Sequence, residues 1–381
     1  MGVRRRLTAA LAAAVVASTC AASPAGAAGS DPVWRLAPIP GNKATSNLWD
    51  VTAVDATHAW AVGIEGYDPE QQYTTGDPMI LQWNGNKWSR APLPAVRGNV
   101  SFQRVAASSA TDVWVTGGPR SHDVDDNVTL VWHYDGATWT EVPYPAGATP
   151  SRLTIRDLSV VDGRAWLVGY QGNTPVFHEW TGGAWREHQP PAECVMGGFP
   201  NFCTINAVKA FAADDVWAAG NGMWNGFMGP LLFHWNGTAW RAVQVGLNQQ
   251  PVSLQSLDGL SSKDIWAVGD SSSGGGNVVV RGDGTTWQQV GGLNSPRTPG
   301  VAVGAAPWVL GNYPRASFNT HGPAGWTTTP APAPAGTLSA TYNAIAAVPG
   351  TNRMIAVGNA DVPGTSPLRL QAVIAEYTSC R

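Results

Sequence analysis

Charge is scarce in this chain: 13% of its 381 residues are Asp, Glu, Lys or Arg, with acids outnumbering bases 26 to 23. That balance offers no basic footprint of the kind nucleic acid or an anionic membrane surface requires. Cysteine is scarcer still, four residues in all, too few for the disulfide framework of a small secreted domain. After the first thirty or so positions no apolar run is long enough to cross a bilayer as a helix. There is no Gly-x-Ser-x-Gly elbow, no His-Glu-x-x-His zinc motif and no phosphate-binding glycine loop. What is abundant instead is 44 Gly, 29 Pro and 19 Trp, the composition of many short strands joined by tight turns.

The N-terminus reads as a targeting segment. Arg4, Arg5 and Arg6 precede the apolar run Leu7 to Thr19, and Ala25-Gly26-Ala27-Ala28 offers small-residue cleavage sites. Residues 1–28 are therefore expected to be a signal peptide and residues 29–381 a single exported, extracellular domain. Ala17-Ser18-Thr19 ahead of Cys20 lacks the pattern of a lipoprotein box. Cleavage removes three arginines and no acid from 23 basic and 26 acidic residues, which leaves a net charge near −6. Of the remaining cysteines, Cys194 and Cys203 close a short loop and are expected to pair in an oxidising compartment. Cys380 is left over, either free or joined to another chain.

Self-similarity dominates the rest. Trp60-Ala-Val-Gly63 recurs as Trp114 to Gly117, Trp166 to Gly169, Trp217 to Gly220, Trp266 to Gly269 and Trp308 to Gly311. Ile355-Ala-Val-Gly358 is a seventh copy without the Trp, and successive copies lie 42–54 residues apart. A second phrase follows each first one: Trp83-Asn-Gly85-x-x-Trp88, Tyr134-Asp-Gly136-x-x-Trp139, Trp180-Thr-Gly182-x-x-Trp185, Trp235-Asn-Gly237-x-x-Trp240, then Asp283-Gly284-x-x-Trp287. Asn-Gly and Asp-Gly between apolar runs signal hairpins whose central turn positions accept positive φ. Ahead of each first phrase lies another strand pattern, Leu48 to Val54 in the first unit and Tyr342 to Val348 in the last.

Each unit is thus four antiparallel strands, a to d, and seven of them predict an all-β fold, a seven-bladed β-propeller. The last unit supplies only three strands, ending with Leu370 to Tyr377. Its missing strand d is found at the other terminus, where Asp31-Pro-Val-Trp34-Arg-Leu-Ala-Pro-Ile-Pro40 matches Lys87 to Pro94. That pairing closes the ring and removes its open edges. Sixteen of the 19 Trp occupy repeat slots and read as packing between blades. Trp49, Trp132 and Trp224 fall outside the pattern.

On these phrases the chain resembles kelch and galactose-oxidase-like propellers, whose blades also pair an aromatic-Gly strand with a Trp-led strand. It is similar too to tectonin repeats, which often bind sugars or bacterial lipopolysaccharide, although those units are shorter. It looks most like secreted actinobacterial proteins built from Asp-Val-Trp-Ala-Val-Gly repeats. The resemblance covers residues 31 to 381 and implies a fold; the copper-site residues of the oxidase are absent, so its activity is not implied.

Variation is confined to the face carrying the d-to-a and b-to-c connections, where function is expected on a rigid scaffold. Around blade 4, Glu193 to Cys203 and Asn221 to Gly229 place Met196, Phe199, Phe202, Met223, Trp224, Phe227 and Met228 in predicted loops. These rings either stack on a ligand or pack on one another beneath the disulfide. Trp49 heads a second set, with equivalents Gln103, Arg156, Asn206, Gln255, Pro299 and Asn343, a polar ring at the channel mouth suited to a glycan or simply solvated. Ser121 to Asn127 gathers three carboxylates without the ligand spacing of a calcium loop, and no metal or cofactor is expected. The overall reading is a non-catalytic binding or scaffold protein that recognises a glycan, a cell-envelope component or a protein. The alternative is an extracellular polysaccharide hydrolase or lyase using dispersed channel residues such as Arg156, Asp157, Lys209 and Asp258.

Overall fold

The computed structural model describes residues 33–378 apart from 71–75, 94–95, 97–99, 120–128, 144–152, 172–173, 197–198, 201–202, 225–226, 248–251, 272–275, 296, 313 and 365–368. Seven four-stranded antiparallel sheets stand around a central channel. The first six blades are contiguous in the chain. The seventh takes strands a to c from Ala340–Ala347, Met354–Val362 and Arg369–Thr378, and its strand d from Val33–Ala37. Trp34 pairs with Tyr377, so the N-terminal strand fills the slot expected of it. The targeting segment and Cys380 lie outside the described residues.

Closure is held by more than one ladder. Trp34 is 5% exposed and stacks on Phe318 of blade 6 at 3.8 Å between ring centroids. The connection into blade 1 adds a polar stitch: Asn42 donates to the Ala372 carbonyl, and the Ser46 hydroxyl accepts from the Ala372 N–H. Asn359 donates to Asn47 at 3.0 Å.

Between blades the strand-b indoles do most of the packing. Trp60, Trp114, Trp166, Trp217 and Trp266 are all at most 2% exposed. Each projects into the following blade, as Trp60 does among Val100, Phe102, Val113 and Trp139. An indole removes roughly 150–250 Å² from water, several kcal/mol at about 25 cal/mol/Å². Ile355 takes that slot at the closing junction against Leu48, Val51, Trp83 and Trp88. Trp132, outside the repeat pattern, is core as well: it is buried 5.8 Å from Phe102.

Two local details explain the repeated phrases. At the c-to-d turns, the side-chain oxygen of Asn84, Asp135, Asn236 or Asp283 accepts two backbone N–H bonds from the residues two and three positions on. Only the glycine of each pair takes positive φ, +85° to +96° at Gly85, Gly136, Gly237 and Gly284. Four residues, not two, separate the paired rings Trp83 and Trp88, so these are side-chain-supported turns rather than two-residue hairpins.

The second detail is a bulge in strand a. Pairing slips by one residue between Leu48 and Asp50, Phe102 and Arg104, Ile155 and Asp157, Ile205 and Ala207, Leu254 and Ser256, and Tyr342 and Ala344. The strand continues past the bulge, so blade 1 strand a runs Ser46–Ala53, beginning two residues before the predicted start. Across from the bulge sits the glycine of the Trp-x-x-Gly phrase. A Cβ on Gly63, Gly169, Gly220, Gly269 or Gly358 would lie 1.7–2.1 Å from a strand-a carbonyl oxygen. Blade 6 has no bulge; its strand a is only Val301–Val303, and Pro299 lacks the N–H to extend the ladder.

Two outcomes are expected from thermal or denaturant unfolding. Trp34→Ala should cost about 3–5 kcal/mol, the range for truncating a buried aromatic, in a single transition of the whole ring; a variant melting like wild type would contradict closure by this strand. Gly269→Ala should destabilise strongly, whereas Gly117→Ala, whose Cβ would come no nearer than 3.2 Å to any atom, should be clearly milder.

Candidate functional site

The start of each strand a and the end of each strand b share one face, called the upper face below. The bulge governs what that face presents, because the extra residue leaves the ladder and its side chain is re-aimed. In six blades the bulged residues are Trp49, Gln103, Arg156, Asn206, Gln255 and Asn343, the positions grouped by sequence as a ring. The central cavity, about 1350 Å³, is lined by Trp49, Asn206, Gln255, Pro299 and Asn343 of this set. Gln103 and Arg156 are not among its lining residues. The Gln103 amide lies over Gly118, and the Arg156 guanidinium lies 5.9 Å from the Tyr170 ring centroid.

Trp49 is 37% exposed. Its neighbours are fixed amides: Asn343 donates to the Leu48 carbonyl at 2.7 Å and to Asn47 at 3.0 Å. Asn206 uses the same device, donating to the Leu254 carbonyl at 2.8 Å and to Ser253. The rim is thus an exposed indole among amides whose orientation is set by the next blade.

One residue further along strand a, charge lines the wall. Asp50 accepts from its own Val51 N–H and from the Val105 N–H of blade 2, both at 2.9 Å. Arg104 donates to the Arg156 carbonyl at 2.7 Å and stands 3.9 Å from Asp157. Asp157 accepts from Val208 N–H at 2.8 Å, and Lys209 pairs with Asp258 at 2.7 Å. Ser256 and Asp258 accept from Val301 and Val303 of blade 6. Each of these side chains reaches the neighbouring blade, so the channel charges named as possible catalytic groups are first of all staples. Burial pushes the Asp50 carboxyl up to about 7, with Arg104 opposing and Asp157 adding to the rise. Burial also raises Asp157, against the pull of Arg104.

At the opposite mouth Leu260, 66% exposed, stands near Phe211 and Ala305. The strand-c histidines have partners within their blades. His133 stacks on Trp114 and lies 2.9 Å from Asp112, which also accepts from the indole. His234, Trp217 and Asp215 repeat the arrangement. Blade 3 reverses the charges with Arg164 and Glu179, and there the Trp166 N–H has no acceptor.

In blade 4 the disulfide joins buried Cys194 and Cys203 within a core shared with Trp166 and Phe177. The segments expected as loops are paired instead: Val195–Met196 with Phe199–Pro200, and Met223 and Trp224 with Met228 and Phe227. Strands b and c of blade 4 thus stay paired as far as Trp224 and Phe227. The side chains of Met196, Phe199, Met223, Trp224, Phe227 and Met228, and the whole of Phe202, lie outside the described residues, as does the acidic segment 121–127. Among the described residues no group of three His, Cys, Asp or Glu is placed to hold a metal, and no helix is long and apolar enough to cross a membrane.

Sequence reasoning passed over Asp50, Arg104 and Tyr170. The first two follow the ring residue directly, and Tyr170 follows the repeat glycine; the register of the phrases contained that signal.

The titration of Asp50 is open to test. Between the unfolded value near 3.8 and about 7, the folded protein holds a proton that the unfolded chain releases. This contribution to stability is therefore full below that window and lost as pH rises through it. Asp50→Asn should be less stable than wild type at pH 4–5, because its NH₂ faces a backbone N–H, and the gap should narrow by pH 8. A gap independent of pH in melting curves would contradict a raised Asp50.

No protein-family model matches this chain, and no curated protein matches it. Solved structures are similar to it in fold. YCF48 from Cyanidioschyzon merolae is 15% identical, with 91% of this chain and 98% of that one covered and a TM-score of 0.57. A structure of YCF48 bound to D1 peptide is 14% identical, with 91% and 97% covered and a TM-score of 0.54. A puromycin-hydrolyzing peptidase from Mycobacterium tuberculosis is 16% identical at a TM-score of 0.53, with 91% of this chain but 54% of that one covered. At these identities the likeness concerns the fold alone.

Proposed function

We propose that this chain is a secreted, non-catalytic binding module that takes a glycan of a cell envelope across the upper mouth of its channel. The observation that carries the reading is Trp49, a large indole left 37% exposed on a rim where the Asn206 and Asn343 amides are held by the next blade. An aromatic face beside oriented hydrogen-bonding groups suits a sugar ring, which presents apolar C–H and polar O–H together. Export is supported by the signal-peptide pattern of residues 1–28 and by the Cys194–Cys203 disulfide, which suits an oxidising compartment. A ligand role for this architecture has support from YCF48, solved bound to D1 peptide. Phe199, Phe202, Trp224 and Phe227, singled out in blade 4 by the sequence, are proposed to add to this surface.

One observation favours the alternative hydrolase or lyase. A carboxyl raised to about 7, as at Asp50, is suited to general-acid chemistry near neutral pH. Against it, both Asp50 oxygens accept backbone N–H bonds, which fits a structural acid better than one free to meet a substrate.

The test is equilibrium binding of cell-wall polysaccharide fragments to wild type and Trp49→Ala, with new reducing ends or unsaturated products assayed alongside. Loss of the indole should weaken binding about tenfold or more and leave the melting temperature unchanged, as expected of an exposed side chain. Equal binding by the two proteins would remove the site; release of product would favour the enzyme.

A further inference from the structure

Arg156, itself partly buried, differs from the arginines that have a carboxylate beside them. Arg90 ends on Glu65, Arg164 on Glu179, Arg281 on Asp264 and Arg353 on Glu376, and Arg104 lies beside Asp157. Among the described residues Arg156 has no carboxylate partner. Its Nη2 is 3.4 Å from Asn206 Oδ1, and the Tyr170 hydroxyl is 3.5 Å from that same oxygen. Both separations exceed the 2.7–3.2 Å of a well-formed hydrogen bond. Among the described residues the buried Arg156 Nε–H, like that of Arg353, has no acceptor, so the guanidinium is not saturated by its surroundings.

The cluster is also held in place. The Asn206 amide is fixed by its donation to Leu254 and Ser253 in blade 5, so its oxygen faces Arg156 and Tyr170 by construction. The Arg156 backbone is fixed by the bulge and by Arg104, which donates to its carbonyl. A half-buried guanidinium over a phenol ring, its Nη2 only loosely held and a second donor beside it, is a receptor for one negative charge. A planar fork matches a carboxylate in two-point contact, and a single cation balances a monoanion rather than a phosphate dianion.

We infer that the rim between blades 3 and 4 is a carboxylate site, in which Arg156 and the Tyr170 hydroxyl take the acid group of a uronic acid residue. The inference rests on the glycan reading above and narrows it to acidic polysaccharides. Trp49 lies two blades away on the same rim, a placement that suits an oligosaccharide contacting both.

Calorimetric titration with three probes separates the outcomes: an oligogalacturonide, its fully methyl-esterified form and a neutral cello-oligosaccharide. Wild type should bind the acid at least tenfold more tightly than the ester, with the preference falling as salt rises. Arg156→Gln should erase the preference while keeping the melting temperature, and Arg156→Lys, which keeps the charge but not the fork, should retain part of it. Equal affinity for acid and ester, or a preference that survives in Arg156→Gln, would overturn the carboxylate site and leave sugar binding at Trp49 standing. Binding of none of the three probes would overturn the carboxylate site together with the glycan reading on which it rests.

Discussion

A backbone carbonyl of the inner strand occupies the place where the neighbouring strand would carry a Cβ. That close approach, 1.7–2.1 Å from the ideal Cβ position in five blades, is the constraint from which much of the molecule follows. In those five blades it demands the glycine that ends the Trp-x-x-Gly phrase, since any larger residue would meet the carbonyl. The accompanying bulge releases one residue from the ladder in each of six blades, on the side of the upper face. Core packing and surface chemistry are thus coupled through a single defect in the pairing, with Trp60 on one side of it and Trp49 on the other.

The blades lean on each other by two kinds of contact at different radii. Farther out, strand-b indoles sit in the apolar interior of the next blade. Along the channel, short polar side chains accept backbone N–H groups one blade on, as Asp50 does from Val105 and Asp157 from Val208. These inner staples give the channel a charged wall whose groups are each engaged with the next blade. They explain why a cavity of this size carries Asp50, Arg104, Asp157, Lys209 and Asp258 while its most accessible recognition group is an uncharged indole.

Much of the fold was legible in the sequence because each repeat phrase corresponds to one physical requirement. The Trp of strand b fills a core slot, the glycine relieves a clash, and the Asn-Gly or Asp-Gly pair makes a turn, so counting phrases counted blades. Trp34 betrayed the closing strand because it sits in the same Trp-led context as Trp88. The bulge itself was not legible: it is a slip in register between two strands, and no single residue signals it apart from the glycine opposite. For that reason the residues at the bulge could be grouped from the repeat register, but that Gln103 and Arg156 do not line the cavity with the others was not legible. Blade 4 misled for another reason. Gly- and Met-rich segments such as Asn221 to Gly229 look irregular, yet strands b and c stay paired through them as far as Trp224 and Phe227.

Repetition has a hazard that the junctions address. A chain of seven similar hairpins is prone to docking a blade against the wrong neighbour while it folds. Here the inner contacts are not interchangeable: Lys209 meets Asp258, Asn312 bonds Tyr342 through both its N–H and carbonyl, and Asn343 reaches across the closure to Leu48. A misplaced blade would strand a lysine, an amide or a carboxylate in a confined channel without its counterpart. The indoles supply adhesion that any neighbour would satisfy, and the polar wall supplies an address, so the order of the blades is written into the lining of the channel.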